Sequence, residues 1–84
     1  MAQYLGILDG SGDVWGVRVP DLPGCHGGGS APDKAMEDAI SAAREWAEHR
    51  AAKGHPLPKA SSLDLIVAEV QAGEVIVNVP VLIG

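Results

Sequence analysis

The sequence is poor in several kinds of residue, and each shortage excludes a class of protein. It contains no Phe, and its aromatic residues are Trp15, Trp46 and Tyr4. Its single cysteine, Cys25, excludes an intramolecular disulfide framework and fits a reducing compartment. No apolar run approaches the roughly 18 residues of a membrane-spanning helix, and the N-terminus lacks the basic and apolar regions of a signal peptide. We therefore predict a cytoplasmic protein.

Basic residues are also few, with 6 Lys or Arg against 11 Asp or Glu and a formal net charge of -5. Such a surface repels nucleic-acid phosphates and anionic membranes, and it speeds the encounter with a basic partner. The basic residues are scattered and form no stripe for nucleic acid. A solvated acidic surface without any specific partner is the simpler explanation of the charge alone.

The residues that are abundant indicate one small globular domain. Hydrophobic residues make up 46% of the chain, too many for a disordered protein. A chain of 84 residues has room for a single domain, here residues 1–84, with its core between one sheet and one helix. Because aromatic side chains are scarce, Val, Ile, Leu and Ala must fill that core.

The first thirty residues predict two strands and an ambiguous third. Residues 4–8 are mainly apolar and end in the Gly-rich hairpin segment 9–12. Residues 14–19 alternate in the manner of a half-buried strand, and Pro20 ends them. After the Pro-Gly turn, the Gly-rich segment 25–29 fits either a loop or a short third strand.

A long helix is predicted from about Pro32 to Lys53. Ser30 is the expected N-cap, and Gly54 is the expected C-terminal stop. One face of this helix is apolar at the spacing of an amphipathic helix. Its residues are Ala35, Met36, Ala39, Ile40, Ala43, Trp46, Ala47 and Arg50.

The rest of the chain predicts one more strand. Residues 55–59 form an extended connector, and residues 61–69 are ambiguous, with a possible short helical turn capped by Ser61 or Ser62. Residues 74–79 alternate as a strand that Pro80 would stop.

These elements predict an α+β fold of β-β-β-α-β order, with a four-stranded sheet in the order 3-2-1-4 and the long helix packed on one face. We expect the last strand to return parallel to the first, because a crossover through a helix permits that arrangement. The other sheet face is expected to be uncovered and partly apolar, with Val14 and Ile76 on it. Free sheet edges also predict a homo-oligomer.

The residues that could serve in catalysis or metal binding are better explained by structural roles. The carboxylates lie beside a hairpin loop and at a helix N-terminus rather than converging on a metal. Cys25 and His26 are adjacent, so on a strand they point to opposite faces and cannot readily share a proton. The histidines have no zinc-binding spacing. We therefore expect no catalytic, cofactor-binding or metal-binding residues, and no enzyme activity.

The sequence resembles a known family, the HicB-type antitoxins. The resemblance rests on the apolar segment 4–8, the Gly12-Asp13 hairpin and above all the segment from Val14 to Cys25, which contains Pro-Asp-Leu-Pro-Gly-Cys. It continues through Asp38-Ala39 of the helix to the later connector. It implies a partial ribonuclease-H-like fold.

The resemblance also implies a function without catalysis. It predicts an antitoxin that covers the active site of a small basic HicA-type toxin, an mRNA-cleaving ribonuclease. Many family members continue into a DNA-binding domain. We expect none in this chain, and we expect DNA binding only if a further C-terminal domain exists outside it. We expect partner contacts from the exposed sheet face, an edge strand or the turn, with these candidate residues: Trp15, Asp21, Leu22, Pro23, Cys25 and His26.

Two alternatives remain from the sequence. One is a stand-alone binding or regulatory module of the same fold without a toxin. The other is an enzyme, either a relict nuclease using Asp9 or a thiol enzyme using Cys25 and His26. Trp15 also stays open, as a core residue or an exposed anchor for a partner.

Overall fold

The computed structural model describes residues 2–81 and contains the predicted sheet with a long helix on it. In chain order the elements are β1 (Ala2–Ser11), β2 (Val14–Arg18), β3 (His26–Gly29), α1 (Pro32–Ala52), α2 (Leu63–Val67) and β4 (Val75–Val81). The strands form one sheet in the order β3-β2-β1-β4. The α+β fold and the strand order 3-2-1-4 are therefore confirmed.

The direction of β4 differs from the sequence-based expectation. β4 runs antiparallel to β1, with Ala2 opposite Val81 and Leu8 opposite Val75. The chain crosses the length of the sheet twice after β3, first in α1 and then in the connector 53–74. Because the second crossing returns the chain to the end where β1 finishes, β4 starts there and cannot be parallel.

Pro80 does not stop β4 but lies inside it. β4 is an edge strand, so one of its sides has no hydrogen-bonding neighbour in the sheet. Proline has no N–H to donate, and an edge strand is where a sheet tolerates that loss. The sequence pattern alone did not distinguish an edge strand from a strand end.

A row of four alanines forms the contact of α1 with the sheet. Ala35, Ala39, Ala43 and Ala47 are fully buried, and their spacing of four places them on one stripe of the helix. They pack in a cluster whose sheet-side members are mainly β-branched, namely Tyr4, Val17, Val19, Val79 and Val81. Since alanine side chains are short, the helix lies close to the sheet.

Two glycines of β3 make this close approach possible. A Cβ atom at Gly27 would lie 2.3 Å from the backbone nitrogen of Ala39 and 2.6 Å from its Cα. A Cβ atom at Gly29 would lie 2.7 Å from the Cβ of Lys34. The glycine-rich segment is therefore a strand whose missing side chains leave room for α1, and the loop interpretation was wrong.

The ends of α1 match the sequence except at the N-cap. Ala31 occupies that position without any side-chain hydrogen bond, so the expected cap by Ser30 is wrong, and Pro32 begins the helix. At the other end Gly54 has a left-handed φ of 72°. The N–H groups of Gly54 and His55 donate to last-turn carbonyls at 3.0 and 2.9 Å, the pattern of a Schellman motif.

The sheet face opposite α1 is uncovered only in part, so the expectation of an uncovered face holds at Val14, which is 72% exposed, but not over the whole face. Strand alternation places Ile7 on that face, yet Ile7 is fully buried. Ile66 of α2 is also buried, and neither residue belongs to the cluster beneath α1. Ile66 is the buried residue of the connector that can cover Ile7, and it lies in the segment 61–69 for which the sequence left a short helical turn open.

Two sets of hydrogen bonds tie the connector to the sheet end. The hydroxyl of Tyr4 donates to the carbonyl of Pro58 at 2.5 Å. The carboxylate of Asp21 accepts from the backbone N–H of Ser61 at 2.7 Å and from its hydroxyl at 2.5 Å. Burial, with a smaller effect from the Asp21 charge, raises the pKa of the Tyr4 phenol. The connector is thus fixed before it enters α2.

An ion pair fastens the far end of the connector. The guanidinium of Arg18 contacts both carboxylate oxygens of Glu74, at 2.8 and 3.2 Å. The hydrogen bond from Arg18, followed by that from the backbone N–H of Gln71, holds the pKa of Glu74 below its ordinary value of 4.5. Two parallel contacts give this pair a geometry that most surface ion pairs lack.

This ion pair predicts a pH dependence of stability. Because the pKa of Glu74 is lower in the folded state, its stabilisation is present above pH 4.5 and is lost as the pH falls through the folded pKa. We expect Glu74→Gln to lose less stability than the wild type between about pH 5 and about pH 3 in urea unfolding. Glu48→Gln is the control, because Glu48 contacts Arg44 at 3.8 Å with both side chains more than half exposed. Equal pH profiles for wild type and Glu74→Gln would refute the prediction.

Candidate partner-binding surfaces

The Pro-Asp-Leu-Pro-Gly-Cys segment folds as a closed turn after β2. The N–H of Leu22 donates to the carbonyl of Val19 at 3.0 Å, and the N–H of Cys25 donates to the carbonyl of Leu22 at 2.9 Å. The N–H of Val19 closes the turn on the carbonyl of Cys25 at 3.2 Å. Gly24 has a φ of 83°, which explains the glycine after Pro23.

Closure of this turn buries two of the candidate contact residues. Leu22 is fully buried and Cys25 is 5% exposed. Asp21 is half-buried and bound by Ser61. Pro23 and His26 are exposed. Leu22 and Cys25 therefore support the turn from inside, and the exposed side chains are those able to touch a partner directly.

Trp15 does not join the other five candidates. It lies at the opposite end of β2, paired with Gly10 and Gly29. Its side chain is half-buried and packs against the core. The indole N–H donates to the carbonyl of Gly12 at 2.9 Å. Trp15 thus closes the first hairpin, and the structure brings it to no common site with the turn.

The thiol of Cys25 and the imidazole of His26 have different surroundings. Cys25 is buried, and burial raises the pKa of its thiol. His26 is exposed on the edge strand β3. A reactive cysteine needs an exposed thiol with a lowered pKa. The pair does not have the arrangement of a thiol enzyme.

A groove of about 520 Å³ separates the turn from the C-terminal half of α1. Pro23 and Cys25 line one wall, and Trp46, His49 and Arg50 line the other. The Trp46 indole N–H donates to the carbonyl of Pro23 at 3.0 Å, and the Arg50 guanidinium lies 5.0 Å from the Trp46 ring centroid. Trp46 therefore links the turn to the helix, and the groove is bordered by both the Glu45 carboxylate and the Arg50 guanidinium.

A second surface, on α2, was missed by sequence reasoning. Leu63, Leu65 and Val67 are 56%, 63% and 51% exposed, and we call these three residues the α2 patch. The remaining apolar residue of the helix, Ile66, is the buried one. A signal was present in the sequence, because one helical turn cannot bury four large apolar residues in five positions.

Two further observations limit the chemistry of residues 2–81. In this part of the chain, no group of three or more His, Cys, Asp or Glu residues could hold a metal ion. None of the helices within the same residues is both long and apolar enough to cross a membrane.

Comparison with known proteins agrees with the resemblance noted above. The sequence matches the family described as HicB_like antitoxin of bacterial toxin-antitoxin system over residues 5–82. No curated protein matches the chain. The N-terminal domain of Burkholderia pseudomallei antitoxin HicB is similar in structure, with a TM-score of 0.82 and 28% identity, covering 98% of this chain and 100% of that one.

Two other solved structures share the fold. The Burkholderia pseudomallei antitoxin HicB has a TM-score of 0.80 and 30% identity over 96% of this chain, which spans 64% of that protein's length. A HicA3 and HicB3 toxin-antitoxin complex has a TM-score of 0.68 and 20% identity, covering 95% of this chain and 98% of that one. The match over residues 5–82 includes the whole Val14–Cys25 segment, so the chain belongs to the HicB-like antitoxin family of bacterial toxin-antitoxin systems.

Proposed function

We propose that this protein is an antitoxin that binds a HicA-type toxin and silences its ribonuclease activity. The observation that carries the proposal is the family match over residues 5–82. A structural neighbour of the same fold, HicB3, forms a toxin-antitoxin complex with HicA3. The net charge of -5 suits association with a basic protein.

Inhibition by binding also fits the site geometry better than catalysis does. The thiol of Cys25 is buried, and its pKa is raised rather than lowered. Asp21 is engaged in hydrogen bonds with Ser61. The exposed features are an apolar helix surface and a turn, which are features of protein-binding surfaces.

The proposal predicts a stable complex with the product of a small basic reading frame adjacent to the gene. We expect one complex in size-exclusion chromatography at micromolar concentration, and loss of the toxin's RNA cleavage as this protein is added to equivalence. Heat-denatured protein is the control. The absence of a complex, or undiminished RNA cleavage at excess antitoxin, contradicts the proposal and favours a stand-alone module.

Self-association stays a prediction, and the two sheet edges are not equivalent for it. On β3 the N–H of Gly28 already donates to the carboxylate of Asp38 at 2.9 Å, so this edge donor is in use. The edge of β4 is the better position for a second copy. Light scattering of the same sample tests this, because a species of 8.6 kDa alone contradicts it.

A further inference from the structure

We propose that the α2 patch is the docking surface for a basic protein partner, which contacts Leu63, Leu65 and Val67 together with the acidic side chains beside them. The inference rests on the proposed function, in which this partner is the toxin. It goes further by assigning the contact to the connector rather than to the turn that carries the family resemblance.

The first argument is the concentration of exposed apolar side chains. Of the five large hydrophobic residues exposed within residues 2–81, three lie in the five residues of α2. Ile66 is the α2 residue that is buried. More than half of each of the other three side chains stays exposed, so most of their apolar surface is left uncovered. A cluster of exposed apolar residues is characteristic of a protein interface.

The second argument is charge. The sequence from residue 60 onward has no Lys, Arg or His, and it carries Asp64, Glu69 and Glu74. Glu74 is neutralised by Arg18. Among residues 2–81, ion pairs involve neither Asp64 nor Glu69. The α2 patch therefore lies in a stretch of sequence whose charged residues are all acidic, and Arg18 is the basic group that reaches this stretch, at Glu74.

Exposed apolar side chains beside acidic ones fit one kind of binding partner, a basic protein. A basic protein with an apolar contact region would gain both hydrophobic burial and charge attraction. A second copy of this chain would bring the same acidic surface and be repelled. Nucleic acid and anionic lipid are repelled for the same reason.

The groove beside the turn is the rival surface, and its charge is mixed. Glu45, His49 and Arg50 line it. The Glu45 carboxylate offsets the Arg50 guanidinium, so the groove offers a basic partner no net charge attraction. The turn therefore fits a basic partner less well than the α2 patch does.

The test compares binding of the toxin from the adjacent reading frame to matched surface variants. We expect the double variant Leu63→Gln and Leu65→Gln to weaken binding by about 10-fold or more in isothermal titration calorimetry. Val75→Thr is the control, because Val75 is 54% exposed but lies in β4, and we expect a change within about twofold. Thermal unfolding should be nearly unchanged, since each replaced side chain is exposed.

A second variant keeps the proposal testable if the double variant fails to fold. Asp64→Lys changes one exposed charge, and we expect slower association together with a weaker dependence of the affinity on salt. Full binding by both variants overturns the inference while the proposed function stands. Loss of binding in Pro23→Ala or His26→Ala alone assigns docking to the turn and also overturns it. Failure of the wild-type protein to bind any toxin refutes the proposed function itself.

Discussion

Gly27→Ala should lower the free energy of unfolding by about 3 kcal/mol, or prevent folding altogether. The new methyl group would lie 2.3 Å from the backbone nitrogen of Ala39 and 2.8 Å from the carbonyl carbon of Asp38. Both atoms belong to the backbone of α1, so no side-chain rotation relieves the clash. The helix must move away from the sheet, and its row of buried alanines would lose contact with the strands.

Gly28→Ala is the matched control for this prediction, because it adds the same methyl group one residue further along β3. Its Cβ would lie 3.4 Å from the carbonyl oxygen of Trp15, an ordinary contact. In urea unfolding we expect Gly28→Ala to stay within about 1 kcal/mol of the wild type. Similar losses in the two variants would mean that strand propensity, rather than the approach of α1, determines the cost at Gly27.

Ile66→Ala should cost about 2–4 kcal/mol of unfolding free energy. Ile66 is 1% exposed and is the buried residue of α2. Its removal leaves a cavity above the sheet face that carries Ile7, and it frees the connector from that face. Urea unfolding measures the loss, and hydrogen exchange should show faster opening of the Ile7 amide.

Leu65→Ala is the control for Ile66→Ala, because it shortens the neighbouring side chain of the same helix. Leu65 is 63% exposed, so we expect a change within about 0.5 kcal/mol. Equal destabilisation by the two variants would contradict the assignment of Ile66 as the residue that attaches α2. The same Leu65→Ala protein should bind toxin more weakly if the α2 patch is the docking surface.

Sequence patterns predicted the elements whose signal is local. The spacing of Ala35, Ala39, Ala43 and Ala47 together with Gly54 predicted α1 to within one residue of its end at Ala52. Alternation predicted β2 and β4, and short turns placed the first three strands side by side, whereas the crossover argument put β4 beside β1 but gave it the wrong direction. The elements and the short turns depend on residues that are close in the chain, so periodicity and turn chemistry were sufficient for them.

The misses concern contacts between distant parts of the chain. Strand direction for β4 depends on where the connector 53–74 leads, and no periodicity reports that path. The short strand β3 was predicted although its glycines have a low strand propensity, and the need for those glycines appears only when α1 lies on top of them. Sequence analysis therefore described the right elements and left open how the later part of the chain lies on them.

The candidate site was predicted less completely than the fold. A turn rich in Pro and Gly suggests an exposed loop, yet its backbone hydrogen bonds direct Leu22 and Cys25 into the core. The α2 patch was overlooked because residues 61–69 matched neither a strand nor a long helix. Four large apolar residues in five positions signal that some of them are exposed, but only the folded chain shows that Leu63 and Leu65 are among these.

The pairing of β4 with β1 has a consequence for how the protein is made and destroyed. Ala2 lies opposite Val81, so β1, at the start of the chain, is paired on one side with β4, from the other end of the described residues. On the ribosome, β1 is synthesised first and waits without its β4 neighbour until nearly the whole domain has emerged, which favours folding after synthesis rather than during it. A protease that removes β4 would expose one side of β1 and take Val79 and Val81 out of the core beneath α1. Loss of one short edge strand would thereby destabilise the whole domain.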